Sequence, residues 1–228
     1  MDAKRVVSAA LEKALVAQAP MAKKNVERLR RVHPQASPSA LIRKLDTAYL
    51  SAVTVSGVAA GAVGIVPGAG VPTAVADVLV FTEATVLYVL SRAEVHGLHP
   101  EDVERRKLLA YMVLVGDSAN TALGKAIPRT GGYWAKRIVE GIPMSAVNAA
   151  NKVLGPRFIT KYGTKQGVLV LSKQVPLGLG AVLGGGGNHV FGRLSVRAAN
   201  KVFGPPPEEW PGRTDGTAAM NHQIEGHL

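Results

Sequence analysis

The chain of 228 residues contains no cysteine. Disulfides and thiolate chemistry are therefore excluded, and a reducing compartment is the natural setting. Aromatic residues make up only 5% of the chain, although hydrophobic residues reach 47%. The apolar content is thus small and aliphatic, with 25 glycines among it. Small residues let helices approach closely, in membrane bundles and in tightly packed soluble cores alike. The start of the chain has no continuous apolar stretch after Lys4-Arg5. No signal peptide is expected, which points to the cytoplasm or to the cytoplasmic face of a membrane, peripheral or integral.

Acids are scarce in one half. Between Ser118 and Pro207 there are twelve Lys or Arg and one acid, Glu140. That interval carries the whole formal net charge of +11, and the remainder is balanced. A field of one sign implies an anionic partner (lipid head groups, an acidic protein or nucleic acid), the alternative being a solvated face that aids solubility. Within this half, Arg193, Arg197 and Lys201 recur every four positions, and Lys161 and Lys165 repeat the spacing. Such stripes beside an apolar segment fit an interfacial helix on anionic lipid. Nucleic acid ranks second, because Tyr133, Trp134, Phe158 and Tyr162 are few and scattered, without a stacking platform.

Charge is also missing from two long runs. Thr47 to Ala76 is uncharged for 30 residues, and Gln174 to Gly192 for 19. The first run is broken by Val66-Pro67-Gly68-Ala69-Gly70-Val71-Pro72, a turn signal. The pattern predicts a helix to about Val66 and a return helix from Pro72 to about Val95. Gly57, Gly61 and Gly64 mark the small, close-packing face of that hairpin, and Gly180 and Gly184 play the same part in the second run. Length permits these hairpins to cross a bilayer, whereas their glycine content fits a buried soluble core. Both readings stand on sequence alone.

Elsewhere the periodicity is helical. Val6, Val7, Ala10, Leu11, Ala14 and Leu15 line one face, Pro20 is expected to end or kink that helix, and a basic helical piece follows from Lys23 to Arg31. Ser37-Pro38 is an N-cap followed by proline at the first helical position. Gly97 ends the return helix, and Pro100-Glu101-Asp102 opens the next. Shorter helices are predicted over 133–140, 143–154 and 195–203. Ala149-Ala150-Asn151-Lys152-Val153-Leu154-Gly155-Pro156 recurs almost unchanged at Ala198 to Pro205, which suggests two helix ends closed by Gly-Pro. The expected fold is all-α, a compact helical bundle with Gly/Ala-rich hairpins. Residues 1–36 form a basic amphipathic helical arm, 37–204 the main helical domain, and 205–228 a disordered Pro/Gly-rich tail.

No catalytic, cofactor or metal site is expected. Gly178 to Gly184 has dinucleotide-loop spacing but lies in no strand–turn–helix setting. His96 and His99 straddle a helix break and read as turn histidines. Three candidate buried acids, Asp77, Glu83 and Asp117, sit in apolar surroundings. Each pairs with a base or reaches water if the protein is soluble, and each is a functional candidate if the hairpin enters a bilayer. Asp77 and Glu83 are six residues apart, so they cannot form one carboxylate pair on a helix face.

The stretch Ala59-Ala60-Gly61-Ala62-Val63-Gly64, the Pro67-Gly68 turn, Asp77 on the return helix, and His96-Gly97-Leu98-His99-Pro100-Glu101-Asp102 together resemble the EcsC family. Members carry a Gly-rich hairpin followed by a Tyr-Gly-x-x-x-x-Asp-like element. Here His96 stands in the Tyr position, with Gly97 and Asp102 retained. Val175 to Asn188, then Arg193 and Ala198-Ala199, are similar to the family's second glycine-rich segment and closing helix. The resemblance covers roughly residues 40–204. It implies a bacterial, helical, membrane-associated protein; the family is named for a gene that accompanies a transporter operon, and its biochemical role is poorly defined. A membrane-protein partner is a further expectation for the basic half. The resemblance carries over no catalytic residues.

Overall fold

A computed structural model describes residues 3–63, 70–126, 132–172 and 179–211, with side-chain surroundings given for 5, 8–59, 77–124, 132–161 and 186–211. Among these residues the chain is all-α. The elements are α1 (Ala3–Val32), α2 (Pro38–Val63), α3 (Gly70–Val95), α4 (Val103–Val115), α5 (Asp117–Ala126) and α6 (Trp134–Lys136). A π-helical turn (Arg137–Gly141), α7 (Met144–Ser172) and α8 (Leu179–Phe203) complete them. The predicted turn around Pro67-Gly68 falls outside the described residues.

Local chemistry sets several boundaries. The Ser37 hydroxyl accepts the Ala40 backbone N–H at 3.3 Å, so α2 starts at Pro38. At the end of α3, Gly97 takes φ +69°. Its N–H donates to the Glu94 carbonyl, and the Leu98 N–H donates to that of Ala93. This left-handed closure needs glycine, and it drops Leu98 back onto the core. The helix expected from Pro100 instead begins at Val103, with Asp102 as N-cap.

Register follows from printed side-chain pairs. Ser56 meets Asp77, Tyr49 meets Thr85 and Asp46 meets Tyr88, so α2 and α3 run antiparallel. Thr54 meets His189, and the Gly192 backbone lies against Leu50 and Val53, so α2 and α8 are antiparallel too. Asn188 with Asp77 and Phe191 with Phe81 align α8 parallel to α3. The three long helices thus form one bundle. On its other side, Leu108 to Val115 of α4 are all buried, as expected of a helix apolar on every face. That helix is covered mainly by α7 and α8, with α1 and α3 also against it.

Packing overrides two proline signals. Pro20 does not end its helix: α1 continues from Ala3 to Val32 and gives Leu11, Leu15, Ala22 and Val26 to the same core. Pro156 does not end α7 either. Both prolines face solvent, and so do Val16 and Lys152 four residues earlier. Water can therefore replace the hydrogen bond that each proline removes. The Gly-Pro echo divides accordingly. Gly204 does end α8, at φ +79° against the Tyr133 ring, while Gly155 stays helical beside the Tyr111 hydroxyl. The helix expected from Ser195 begins earlier, at Leu179, and runs through the glycine tetrad.

After α8 the chain folds back. The Trp210 indole N–H donates to the Ala36 carbonyl at 3.0 Å, and the Arg30 guanidinium lies 4.2 Å from its ring centroid. Through Pro211 the tail segment is held against the helical body; residues 212–228 lie outside the described residues.

Gly192 marks a close approach between α2 and α8. A Cβ there would stand 2.9 Å from Val53 Cγ2 and 3.0 Å from Leu50 Cδ2, whereas one at Gly186 would meet nothing within 4 Å. Gly192→Leu is expected to destabilise the protein by about 1–3 kcal/mol. Gly186→Ala is expected to stabilise it by about 0.5–1 kcal/mol. Urea denaturation of the two variants checks both signs.

Candidate functional site

Two sets of residues deserve separation: a polar seam inside the three-helix bundle, and a basic belt on its outside. The seam begins at Asp77, which is 3% exposed. Its Oδ1 accepts the Asn188 side-chain amide at 2.8 Å and the Ser56 hydroxyl at 3.3 Å. Two residues before Ser56, the Thr54 hydroxyl donates to the Leu50 carbonyl and stands 3.0 Å from His189 Nδ1. Next, the Thr85 hydroxyl donates to the Phe81 carbonyl, so the Tyr49 hydroxyl donates to Thr85 Oγ1 at 2.9 Å. The Tyr49 and Tyr88 rings stack at 4.5 Å. The Tyr88 hydroxyl donates to Asp46 Oδ1 at 2.6 Å, and Arg92, only 1% exposed, reaches both Tyr88 Oη at 2.9 Å and Asp46 Oδ1 at 3.4 Å.

Burial keeps the two seam tyrosines protonated. Burial pushes the Tyr49 hydroxyl up to about 12, partly offset by hydrogen bonds with Ser195 and Thr85. Burial raises Tyr88 further, against the opposing charge of Arg92. Neither is a base or nucleophile near neutral pH. His96, beside the Phe203 ring, is lowered to about 4 by burial and then by the nearby Arg92 charge. Among the described residues no three His, Asp or Glu converge as metal ligands. His99 is solvent-facing and pairs with Glu94 at 3.0 Å.

Outside the bundle, Arg193, Arg197 and Lys201 are all exposed along α8. The register places Arg193 level with Leu50 of α2, and Arg197 level with Asp46, close to exposed Arg43 and Lys44. A belt of cations therefore crosses two neighbouring helices. Lys201 is shared with Asp117, at 2.7 Å between exposed groups. Lys161 has a different place. Its ammonium donates to the Leu114 and Val115 carbonyls at 2.6 and 3.2 Å, which closes the C-terminus of α4. Lys165 lies on α7, outside the residues whose side chains are described.

The three acids separate. Asp77 is buried in the seam, Glu83 is exposed, and Asp117 starts α5 and pairs with Lys201. Gly57 is buried in α2. Gly64 lies outside the described residues, and Gly61, Gly180 and Gly184 lie in helical stretches whose side-chain surroundings are not described. Sequence reasoning did not find Asp46, Ser56, Arg92 or Asn188. A signal existed for Asn188, the one amide in the second uncharged run after Gln174, and able to satisfy an acid at the edge of the first.

Compared with family models, with curated proteins and with solved structures, the chain matches none. No helix among the described residues is long and apolar enough to cross a membrane.

The low His96 value has a consequence for stability. An unfolded His takes up a proton near its ordinary value of about 6.5, while folded His96 resists until about 4. Stability from this group is therefore fully present above about pH 6.5 and is lost as pH falls towards 4. His96→Gln is expected to flatten that part of the profile, read as urea midpoints from pH 7 to 4. An unchanged slope would remove His96 as its source.

Proposed function

We propose that the protein is a non-enzymatic helical protein that binds an anionic membrane surface. The observation carrying this reading is the exposed belt of Arg43, Lys44, Arg193 and Arg197 on neighbouring α2 and α8, beside helix faces that bear no charge. Each Lys or Arg held near an anionic leaflet contributes about 1 kcal/mol. A belt of this size gives reversible, salt-sensitive binding. The Tyr49 and Tyr88 hydroxyls are held protonated by burial, which supports a packing role for them.

The likeness to the EcsC family agrees with this reading. On this proposal the setting is the cytoplasmic face of a bacterial membrane, and the belt is also able to hold an acidic membrane-protein partner. The belt is also chemically able to meet a nucleic-acid backbone. A shortage of exposed aromatics near it favours lipid head groups.

Co-flotation with vesicles separates the two. Wild-type protein is expected to float with phosphatidylserine-containing vesicles at physiological salt and not with pure phosphatidylcholine. Replacing both Arg193 and Arg197 by Gln is expected to weaken binding by about tenfold or more. Salt-dependent binding to a DNA duplex, with no vesicle binding, would transfer the function to an acidic polymer.

A further inference from the structure

The α2–α8 register brings Gly204 about level with Ser39, in the first turn of α2. Gly204 turns the chain at φ +79°, and Pro205-Pro206-Pro207 leads away from it without a backbone N–H to offer. Among the described residues, none of 205–211 makes a backbone–backbone hydrogen bond to the rest of the protein. Two side chains hold this strap. Trp210 donates its indole N–H to the Ala36 carbonyl at 3.0 Å and lies beside the Arg30 guanidinium, and Pro211 rests on the backbone of Gly97. The seat is underfilled, with open cavities of about 510, 360 and 330 Å³ around Trp210. A segment fixed at so few points opens well before the fold does.

The strap carries the charge opposite to its surroundings. The last turns of α1 expose Lys23, Lys24, Arg28, Arg30 and Arg31 against one acid, Glu27. Arg43 and Lys44 of the belt follow on α2. Glu208 and Glu209, both exposed, line a cavity whose other walls are Pro34 to Pro38 and Trp210. They therefore stand at the corner between the α1 cations and the belt. From Pro38 to Arg43 and Lys44 is about 8–9 Å along the helix axis, roughly one Debye length at physiological salt. At that range two carboxylates weaken the pull of these cations on an anionic surface.

We propose that Pro205–Pro211 is an autoinhibitory strap: docked through Trp210, it holds Glu208 and Glu209 over the cationic corner, and an anionic surface has to displace it. The proposal rests on the membrane-surface reading and adds how that binding is restrained. While Trp210 is docked, the glutamates repel lipid phosphates. When a leaflet takes up Arg30 and Arg31, the indole loses its guanidinium neighbour. The strap then swings on Gly204, and the carboxylates leave the corner. The freed indole, apolar with one polar edge, suits the lipid–water interface.

The test compares full-length variants by co-flotation with phosphatidylserine/phosphatidylcholine vesicles. Glu208→Gln with Glu209→Gln is expected to bind about threefold or more tightly. Trp210→Ala keeps both acids but unlocks the strap, and is expected to gain by a similar factor. Trp210→Phe keeps a ring beside Arg30 without the N–H and is expected to fall between wild type and Trp210→Ala. The triple variant is expected to gain little over Trp210→Ala, because released acids no longer face the leaflet. Far-UV circular dichroism checks that each variant is folded, and Trp210→Phe carries the comparison if Trp210→Ala is not. Tighter binding by the Gln pair, with both Trp210 variants unchanged, would reduce the acids to plain surface charge and overturn the strap. Strictly additive effects would overturn it too. Equal binding by wild type and all variants would overturn the strap and leave the membrane reading standing. If no variant floats with vesicles, the set is titrated with a DNA duplex. The same rank order there would keep the strap and overturn the lipid reading, and no binding to either would overturn both.

Discussion

Arg92 must be buried with its charge answered, and the arrangement of the long helices follows from that demand. It lies at 1% exposure among apolar neighbours, held by Asp46 and by the Tyr88 hydroxyl. Its guanidinium also lies 5.8 Å from the Phe203 ring centroid, which brings the end of α8 to the same point. Removing one partner of such a buried pair typically costs about 3–5 kcal/mol, because the survivor is left uncompensated. Hydrophobic contacts alone would let Gly/Ala-rich helices slide past one another. The ion pair at one end and the Asp77–Asn188 contact at the other fix the slide of α2, α3 and α8.

The two sides of the protein solve the polar problem differently. Around α4 and α7 the polar contacts lie at or near the surface. Glu104 is held below the usual carboxylate range by Lys107 and also accepts the Asn151 amide. Lys161 closes α4, and the Arg105 guanidinium donates to the Ile138 carbonyl. Between α2, α3 and α8 the polar contacts of Asp77, Thr85 and Tyr88 turn inward onto partners in the neighbouring helices.

Much of this was legible in the sequence. Ser37-Pro38, Gly97 and Gly204 mark helix boundaries because their chemistry is local. The Arg193, Arg197 and Lys201 stripe was legible because it rests on helical spacing alone. Pro20 and Pro156 misled because whether a proline breaks a helix depends on which way the orphaned carbonyl faces, and that is tertiary information. Lys161 was read as a free surface cation, but its carbonyl partners lie 46 and 47 residues away. Asp46 and Arg92 were missed for the same reason, at a separation of 46 residues. Composition showed that the runs lacked charge; only the register showed that their ends share one level.

Hydrogen–deuterium exchange of the full-length protein, with and without phosphatidylserine-containing vesicles, tests the central claim most directly. The account predicts added protection on the two helices that carry the belt, around residues 43–50 of α2 and 193–201 of α8, with α4 and residues 144–158 of α7 unchanged. Protection spread over α4 and α7, or absent from α2 and α8 on vesicle-bound protein, would contradict it.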